Sequence, residues 1–448
     1  MQIYAENLCL LSHRGGTLSG RGKRFPALRG NIRRLVYIGR RAWYHCMEDK
    51  FQADCRASLK IKREKGWVNG KMIVKNGKVF DENFDLKKTD VSVRNGRIAE
   101  IGPDLGGGES LDVSGLLVAP GFIDIHIHGC AGADTGDGTR EAISAMAAHL
   151  VTNGVTSFCP TTTTLPEETI MKALAAARDC VERPPEGAAV RGVDLEGPFI
   201  SPRRAGAQKS EYIRKPDAGL FRRMYERSGG IIKLVDIAPE VEGADEFIRE
   251  VRGYCRVSFA HSTADYDQAK RAFSLGVTHV THLFNAMTGL SHRAPGAVGA
   301  VFDSGGVAAE IICDGFHIHP AVLRVAFRAL GEDRTVVISD SMRAAGLADG
   351  DFDLGDQMVR VRDGHALLPD GTIAGSTTNL GAEVKNLVGF GVPVRQVIKS
   401  ATINPAREIG ADREVGSIAV GKRADFTVLD PDFNLRYVIE NGRIVFRA

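Results

Sequence analysis

Six residues able to bind a metal or move a proton stand at the ends of apolar runs: His126, His128, Glu196, His261, His282 and Asp340. The densest stretch is Pro120-Gly121-Phe122-Ile123-Asp124-Ile125-His126-Ile127-His128-Gly129. Side chains alternate along a strand, so His126 and His128 are expected on one side, Ile125 and Ile127 on the other. The donors are nitrogen and oxygen with no thiolate. That set suits zinc or iron(II), with manganese or cobalt as alternatives, at one or two neighbouring positions. Such an ion lowers the pKa of water and polarises a carbonyl, which is the chemistry of amide hydrolysis. Asp340, in Val337-Ile338-Ser339-Asp340-Ser341-Met342, is the expected general base, able to take the water proton and pass it to a leaving amine. His279 and His282 lie three apart on one expected strand, so only one can face inward, and His282 is chosen. His149 falls in an Ala-rich helix and His365 in a polar loop, and neither is given a role.

Three further groups read as substrate recognition. Asn285 and Ala286 offer side-chain and backbone donors just beyond a strand. Arg293, in Ser-His-Arg-Ala-Pro-Gly, can fork onto a phosphate if its loop reaches the same mouth. Asp314-Gly315-Phe316-His317 follows another strand, and its glycine allows close backbone approach.

These residues need a frame that brings distant strand ends together. Strand-like runs are expected near 121–129, 155–163, 189–199, 231–238, 257–261, 277–284, 308–314 and 335–340, with helical patterns between most of them. Eight alternations suit a (β/α)8 TIM barrel, with a doubly wound open sheet as the alternative. The ligands decide for the barrel, since strand ends one, three, five, six and eight converge only when the sheet closes. Asn76-Gly77 and Asn95-Gly96 sit between alternating strands and predict hairpins, and Asn441-Gly442 repeats the phrase at the far end. A small β-sandwich domain built from both ends of the catalytic chain follows. The expected division is a basic, disordered extension over 1–71, β-domain at 72–118, barrel at 119–410 and β-domain again at 411–448.

Composition bounds the rest. The chain has 448 residues, 43% of them hydrophobic and 25% charged, as expected of an ordinary globular protein. No apolar run approaches membrane-span length and no signal peptide is evident, so a cytoplasmic protein without membrane association is expected. The eight cysteines are scattered without a C-x-x-C pair, which predicts free thiols, and Cys130 is expected to serve packing. Residues 1–71 carry 16 Lys and Arg against 5 Asp and Glu, so the remainder is net −8 although the whole chain is +3. A targeting arm is the other reading of that extension. It has no recognised nucleic-acid-binding motif, and no nucleic-acid partner is expected.

From Met72 onward the chain resembles the N-acetylglucosamine-6-phosphate deacetylase family of the amidohydrolase superfamily. The likeness is carried by 120–135, Leu195-Glu196-Gly197-Pro198-Phe199-Ile200, Thr281-His282-Leu283-Phe284-Asn285-Ala286-Met287, Ser339-Asp340 and Ala374-Gly375-Ser376-Thr377. The resemblance implies a metal-dependent barrel enzyme that removes acetate from an amino-sugar phosphate, and a homodimer or dimer-based oligomer. It implies Glu196, His261 and His282 as ligands of the principal metal and Asp340 as the acid/base. It extends the substrate contacts to Ala207, Gln208 and the run Ile373, Ala374 and Gly375, and places Arg293 on the phosphate of the neighbouring subunit's substrate. Two features vary. Some members lack the first histidine pair and hold one metal, whereas His126 and His128 allow a second here. Many members carry Ala-His where this chain has Ala207-Gln208, so carbonyl polarisation must rest more on the metal.

Rival readings are a deacetylase of the epimeric N-acetylgalactosamine 6-phosphate, another amidohydrolase such as a dihydroorotase, hydantoinase or deaminase, and a non-catalytic barrel scaffold. Dihydroorotases and hydantoinases bridge their metals with a modified lysine, a role Glu196 takes here. A scaffold is expected to have lost ligands, and none is lost.

Overall fold

The computed structural model describes residues 71–448. The basic extension expected over 1–71 lies outside them except for Lys71, which opens the first strand.

Eight strands form the barrel: β1 (Phe122–Ile127), β2 (Val155–Pro160), β3 (Val193–Leu195), β4 (Ile232–Ile237), β5 (Arg256–Phe259), β6 (His279–Val280), β7 (Ala308–Ile312) and β8 (Thr335–Ile338). β1 pairs in parallel with β2, and β3 to β8 pair in parallel in order. The arcs join through the parallel bridge Thr161–Asp194. They close where Asp340 N donates to His126 O at 3.0 Å and His128 N to Ser341 O at 2.9 Å. Their near-continuous burial follows from helices covering the outer face of a parallel sheet.

Helices α1 (Arg140–Leu150), α2 (Glu167–Glu182), α3 (Ala218–Arg227), α4 (Ala244–Val251), α5 (Tyr266–Leu275), α6 (Gly296–Phe302), α7 (Pro320–Leu330) and α8 (Leu380–Gly389) alternate with the strands. Their starts are written locally. Thr139, Asp217 and Asn379 accept from the backbone at the third helical position, and Asp265 forms a reciprocal capping box with Gln268. Two further helices, α9 (Val394–Ala401) and α10 (Ile403–Glu408), pack beside β8. Ala406 and Ile409 join Ile123, Leu234 and Val336 in an apolar cluster.

Both ends of the described chain build the β-sandwich. Lys71–Lys75 lies in a four-stranded sheet, and Phe426–Leu429 pairs antiparallel with Leu117–Pro120 in a six-stranded one. Met72, Val91 and Val93 meet Val118, Phe426 and Ile439 between them.

The hairpin expectation holds at two of three sites. Asp90–Arg94 pairs antiparallel with Arg97–Gly102, and Leu435–Glu440 with Arg443–Arg447. Both turn residues have positive φ there: 52° and 76° at Asn95-Gly96, 49° and 70° at Asn441-Gly442. That pair of left-handed residues is what a type I′ turn requires. At Asn76-Gly77 only the asparagine is left-handed, at 64°. Lys71–Lys75 and Lys78–Phe80 consequently enter different sheets, and the expected hairpin is a crossing between layers.

The region between β8 and α8 carries a three-stranded antiparallel sheet, Gly350–Leu354, Gln357–Arg362 and His365–Leu367. His365 therefore sits on a strand rather than in a loop, with its ring 3.9 Å from that of Phe316.

Candidate metal centre and active site

Glu196 follows β3, and its Oε1 lies 3.0 Å from His261 Nε2, 3.1 Å from His282 Nε2 and 3.9 Å from His126 Nε2. Its Oε2 lies 3.3 Å from His128 Nε2. Asp340 Oδ1 approaches His128 Nε2 at 3.2 Å and His126 Nε2 at 3.6 Å. All six side chains are buried.

The outer nitrogens fix the rings. His126 Nδ1 meets Glu310 Oε2 at 3.0 Å, His128 Nδ1 donates to Thr161 O at 3.3 Å, and His261 Nδ1 donates to Arg204 O at 2.9 Å. A ring that gives its Nδ1–H outward presents a bare Nε2 lone pair inward, the tautomer a metal ligand needs. His282 and His261 bring their Nε2 atoms within 3.1 Å of each other and of the same carboxylate oxygen. A bare His261 Nε2 and an anion that close repel unless a cation lies between them, and buried His126 Nε2 and His282 Nδ1 have no hydrogen-bond partner. The residues thus fit a divalent ion at two adjoining places, one among Glu196, His261 and His282, the other among His126, His128 and Glu196.

Electrostatics agree with that grouping. Burial works against the Glu196 charge, yet the His261, His282 and His128 rings around it hold its carboxyl well below the usual range. Burial likewise opposes the Asp340 charge, and His128, His126 and His282 together outweigh it, which favours the carboxylate. Three of these residues have left-handed backbone: His261 at φ 42°, His282 at 32° and Asp340 at 47°. Non-glycine residues pay for that geometry, and such strain gathers at functional sites.

A cavity of about 380 Å³ opens above the cluster. Ala207, Gln208, Asn285, Ala286, His317, Ile373 and Gly375 line it with His128, Glu196, His261, His282 and Asp340. Gln208 braces the carboxylate: Nε2 donates to Glu196 Oε2 at 2.5 Å, and Oε1 accepts from Thr164 N at 2.6 Å. Asn285 Nδ2 turns to the His282 and Leu283 carbonyls. Five expected substrate contacts are not in the lining. Asp314 instead orients His317, with Oδ2 at 2.7 Å from Nδ1. Gly315 turns at φ 81° against Phe390, Phe316 is exposed beside His365, and Ala374 is buried with Met342 and Leu354. Arg293 is exposed next to His292 and stands outside the cavity of its own chain.

Two sequence readings need correcting. Ile125 and Ile127 do not share a face, because register shifts between β1 and β2 break the alternation. Ile125 packs with Ile123, Leu234 and Ile338, and Ile127 in the larger cluster. His279 is not turned away from the interior either. The strand ends at Val280, the chain bends, and His279 Nε2 reaches Glu310 Oε1 at 3.1 Å. Sequence reasoning also missed Arg203 and Arg204 at the cavity wall, and buried Asp194, Asp236 and Glu310 beneath it. Lone carboxylates in otherwise apolar strands were the signal for the last three.

A closed barrel with histidines and carboxylates gathered beyond the carboxyl ends of its strands is the frame of a metal-assisted hydrolase. The chain belongs to the amidohydrolase family, whose sequence pattern matches residues 117–445. It is 36% identical over 384 residues to the N-acetylglucosamine-6-phosphate deacetylase of Bacillus subtilis (strain 168), covering 84% of this chain and 97% of that protein. It is also 36% identical over 330 residues to the N-acetylgalactosamine-6-phosphate deacetylase of Escherichia coli O157:H7, covering 73% and 87%. Among solved structures it is similar to the D267A mutant of N-acetyl-D-glucosamine-6-phosphate deacetylase from Mycobacterium smegmatis in complex with N-acetyl-D-glucosamine-6-phosphate. That match has a TM-score of 0.79 at 29% identity, covering 84% of this chain and 99% of that one. The resemblance drawn from the motifs is upheld over most of the chain.

Proposed function

We propose that this protein hydrolyses the N-acetyl group of N-acetylglucosamine 6-phosphate, giving glucosamine 6-phosphate and acetate, as a step of amino-sugar catabolism. The observation that carries this reading is the convergence of His261 and His282 Nε2 on one oxygen of Glu196, in a family of deacetylases. Glu196, His261 and His282 would hold one divalent ion, and His126, His128 and Glu196 offer the place for a second. Zinc or iron suits the donor set first, manganese or cobalt next. When bound, the ion activates water and polarises the acetyl carbonyl.

The chain's own groups do the rest. Asp340 accepts the proton of the attacking water and returns it to the departing amine. Gln208 steadies the Glu196 carboxylate. Asn285, Ala286 and His317, with Ile373 and Gly375 opposite, form the wall that seats the sugar. Arg293 points to a homodimer in which each subunit offers this arginine to its neighbour's substrate phosphate. Among the described residues no helix is long and apolar enough to cross a membrane, and the five described cysteines are free thiols, which supports action in the cytoplasm.

The test is acetate release from the two epimeric sugar phosphates by purified, metal-loaded protein. Faster turnover of the glucosamine epimer is expected. Preference for the galactosamine epimer, which the 36% identical relative supports, would transfer the assignment to that sugar. Release from neither would end it.

A further inference from the structure

We propose that Glu310, His279 and Glu408 form a positioning chain that runs from His126 to the amino-terminal end of the barrel and secures the ion held by His126, His128 and Glu196. This rests on the metal-dependent reading above and extends it to residues outside the cavity.

The chain has no break. His126 Nδ1 lies 3.0 Å from Glu310 Oε2, Glu310 Oε1 lies 3.1 Å from His279 Nε2, and His279 Nδ1 lies 2.8 Å from Glu408 Oε2. Arg256 finishes it, with Nε at 3.1 Å from the same Glu408 oxygen and 2.9 Å from the Glu408 carbonyl. His126, Glu310 and His279 are fully buried, so water cannot replace the contacts among them, while Glu408 and Arg256 are partly exposed. His279 opens β6 and Arg256 opens β5, so the chain ends where those strands begin, far along the barrel from the rim.

The arrangement performs one task. His126 offers Nε2 to a metal only if its proton sits on Nδ1, and Glu310 accepts that proton. Glu310 must then stay charged in a dry interior, and a proton on His279 Nε2 holds its second oxygen. Burial works against a charged His279 ring, yet hydrogen bonds to Glu310 and Glu408 raise its pKa to about 9. Glu310 also meets His282 N at 3.4 Å, so it touches the strands of both proposed ion places. The Nδ1 partners of His128 and His261 are backbone carbonyls, which no substitution removes. His282 Nδ1 has no hydrogen-bond partner, so among the histidine ligands His126 is the one held by side chains, Glu310 and, at 3.4 Å, Asp194 Oδ2, and the one a distant residue can loosen.

The experiment is metal titration against a competing chelator, with zinc, on the full-length parent and on Glu408→Leu, Glu408→Gln and Glu310→Gln. The parent is expected to bind two equivalents. Glu408→Leu should keep one and weaken the other about 10–100-fold, the usual cost of removing an outer hydrogen-bond partner. Glu408→Gln, whose amide still meets His279 Nδ1, should stay within a few-fold of the parent. Glu310→Gln should weaken the same ion at least as much, and it serves if Glu408→Leu does not accumulate. Unfolding of the stripped proteins separates this from general damage, because a merely structural Glu408 would lower stability without sorting the two ions. The chain is overturned if the parent binds a single ion, if Glu408→Leu keeps both, or if both weaken together. Two bound ions without deacetylation would instead overturn the functional reading and leave the chain standing.

Discussion

Asp340 and Glu196 are both buried carboxylates among histidines, and their neighbours separate their roles. Glu196 shares one oxygen with His261 and His282 and gives the other to Gln208, so its lone pairs are committed. Asp340 has His128 at 3.2 Å and His126 at 3.6 Å and lines the cavity. Asp340→Asn should therefore keep its ions and lose about 10²–10⁴-fold in turnover, since an amide cannot accept the water proton. Metal content measured beside kcat checks this, and turnover within a few-fold of the parent would remove Asp340 from the role. At this scale the sequence was most legible. Histidines and acids at the ends of apolar runs announce themselves by type, whereas Arg203 and Arg204 sit in a single 3₁₀ turn, Pro202–Arg204, too short for periodicity to announce.

Turns show where local rules suffice and where they stop. The Asn-Gly phrase predicts a hairpin at 76–77, 95–96 and 441–442, and it delivers only where both residues turn left-handed. The departure at Asn76-Gly77 is a tertiary choice, made because the following strand pairs with Leu117–Pro120 in the other sheet. Gly96→Ala should cost about 1 kcal/mol or more, since φ is 76° and the new Cβ would meet Asn441 O at 3.2 Å. Denaturant unfolding reads this directly. The strand before the Asn441 turn ends in Glu440, whose carboxyl burial and Asp425 push up to about 8. An unfolded glutamate ionises near 4.3, so between about pH 4 and 8 the folded state holds the extra proton. Stability should fall as pH rises through that window. Glu440→Gln should flatten the slope, and parallel slopes for parent and variant would contradict the assignment.

The barrel as a whole was legible because eight strand–helix alternations leave few topologies, and because ligands on strands one, three, five, six and eight require closure. The three-stranded sheet after β8 was not, since its strands are short, half-exposed and interrupted by turns. Assembly lies beyond a single chain. Arg293 is exposed and outside its own cavity, and the contact proposed for it is with the phosphate in a second subunit. A charge-assisted bond of roughly 1.5–3 kcal/mol makes Arg293→Ala about 10–100-fold weaker, chiefly on phosphorylated substrate. Heterodimers of Arg293→Ala with Asp340→Asn should recover one intact site in two. No gain over the separate homodimers would confine the arginine to its own subunit or remove it from the site. Above all stands the metal-dependent removal of acetate, and acetate release from N-acetylglucosamine 6-phosphate measures it most directly, before chelation, after chelation and after zinc or iron is restored. Activity should vanish with the metal, return with it, and fail to return in the Glu196→Ala, His261→Ala double variant. Undiminished release from the stripped double variant would contradict the account.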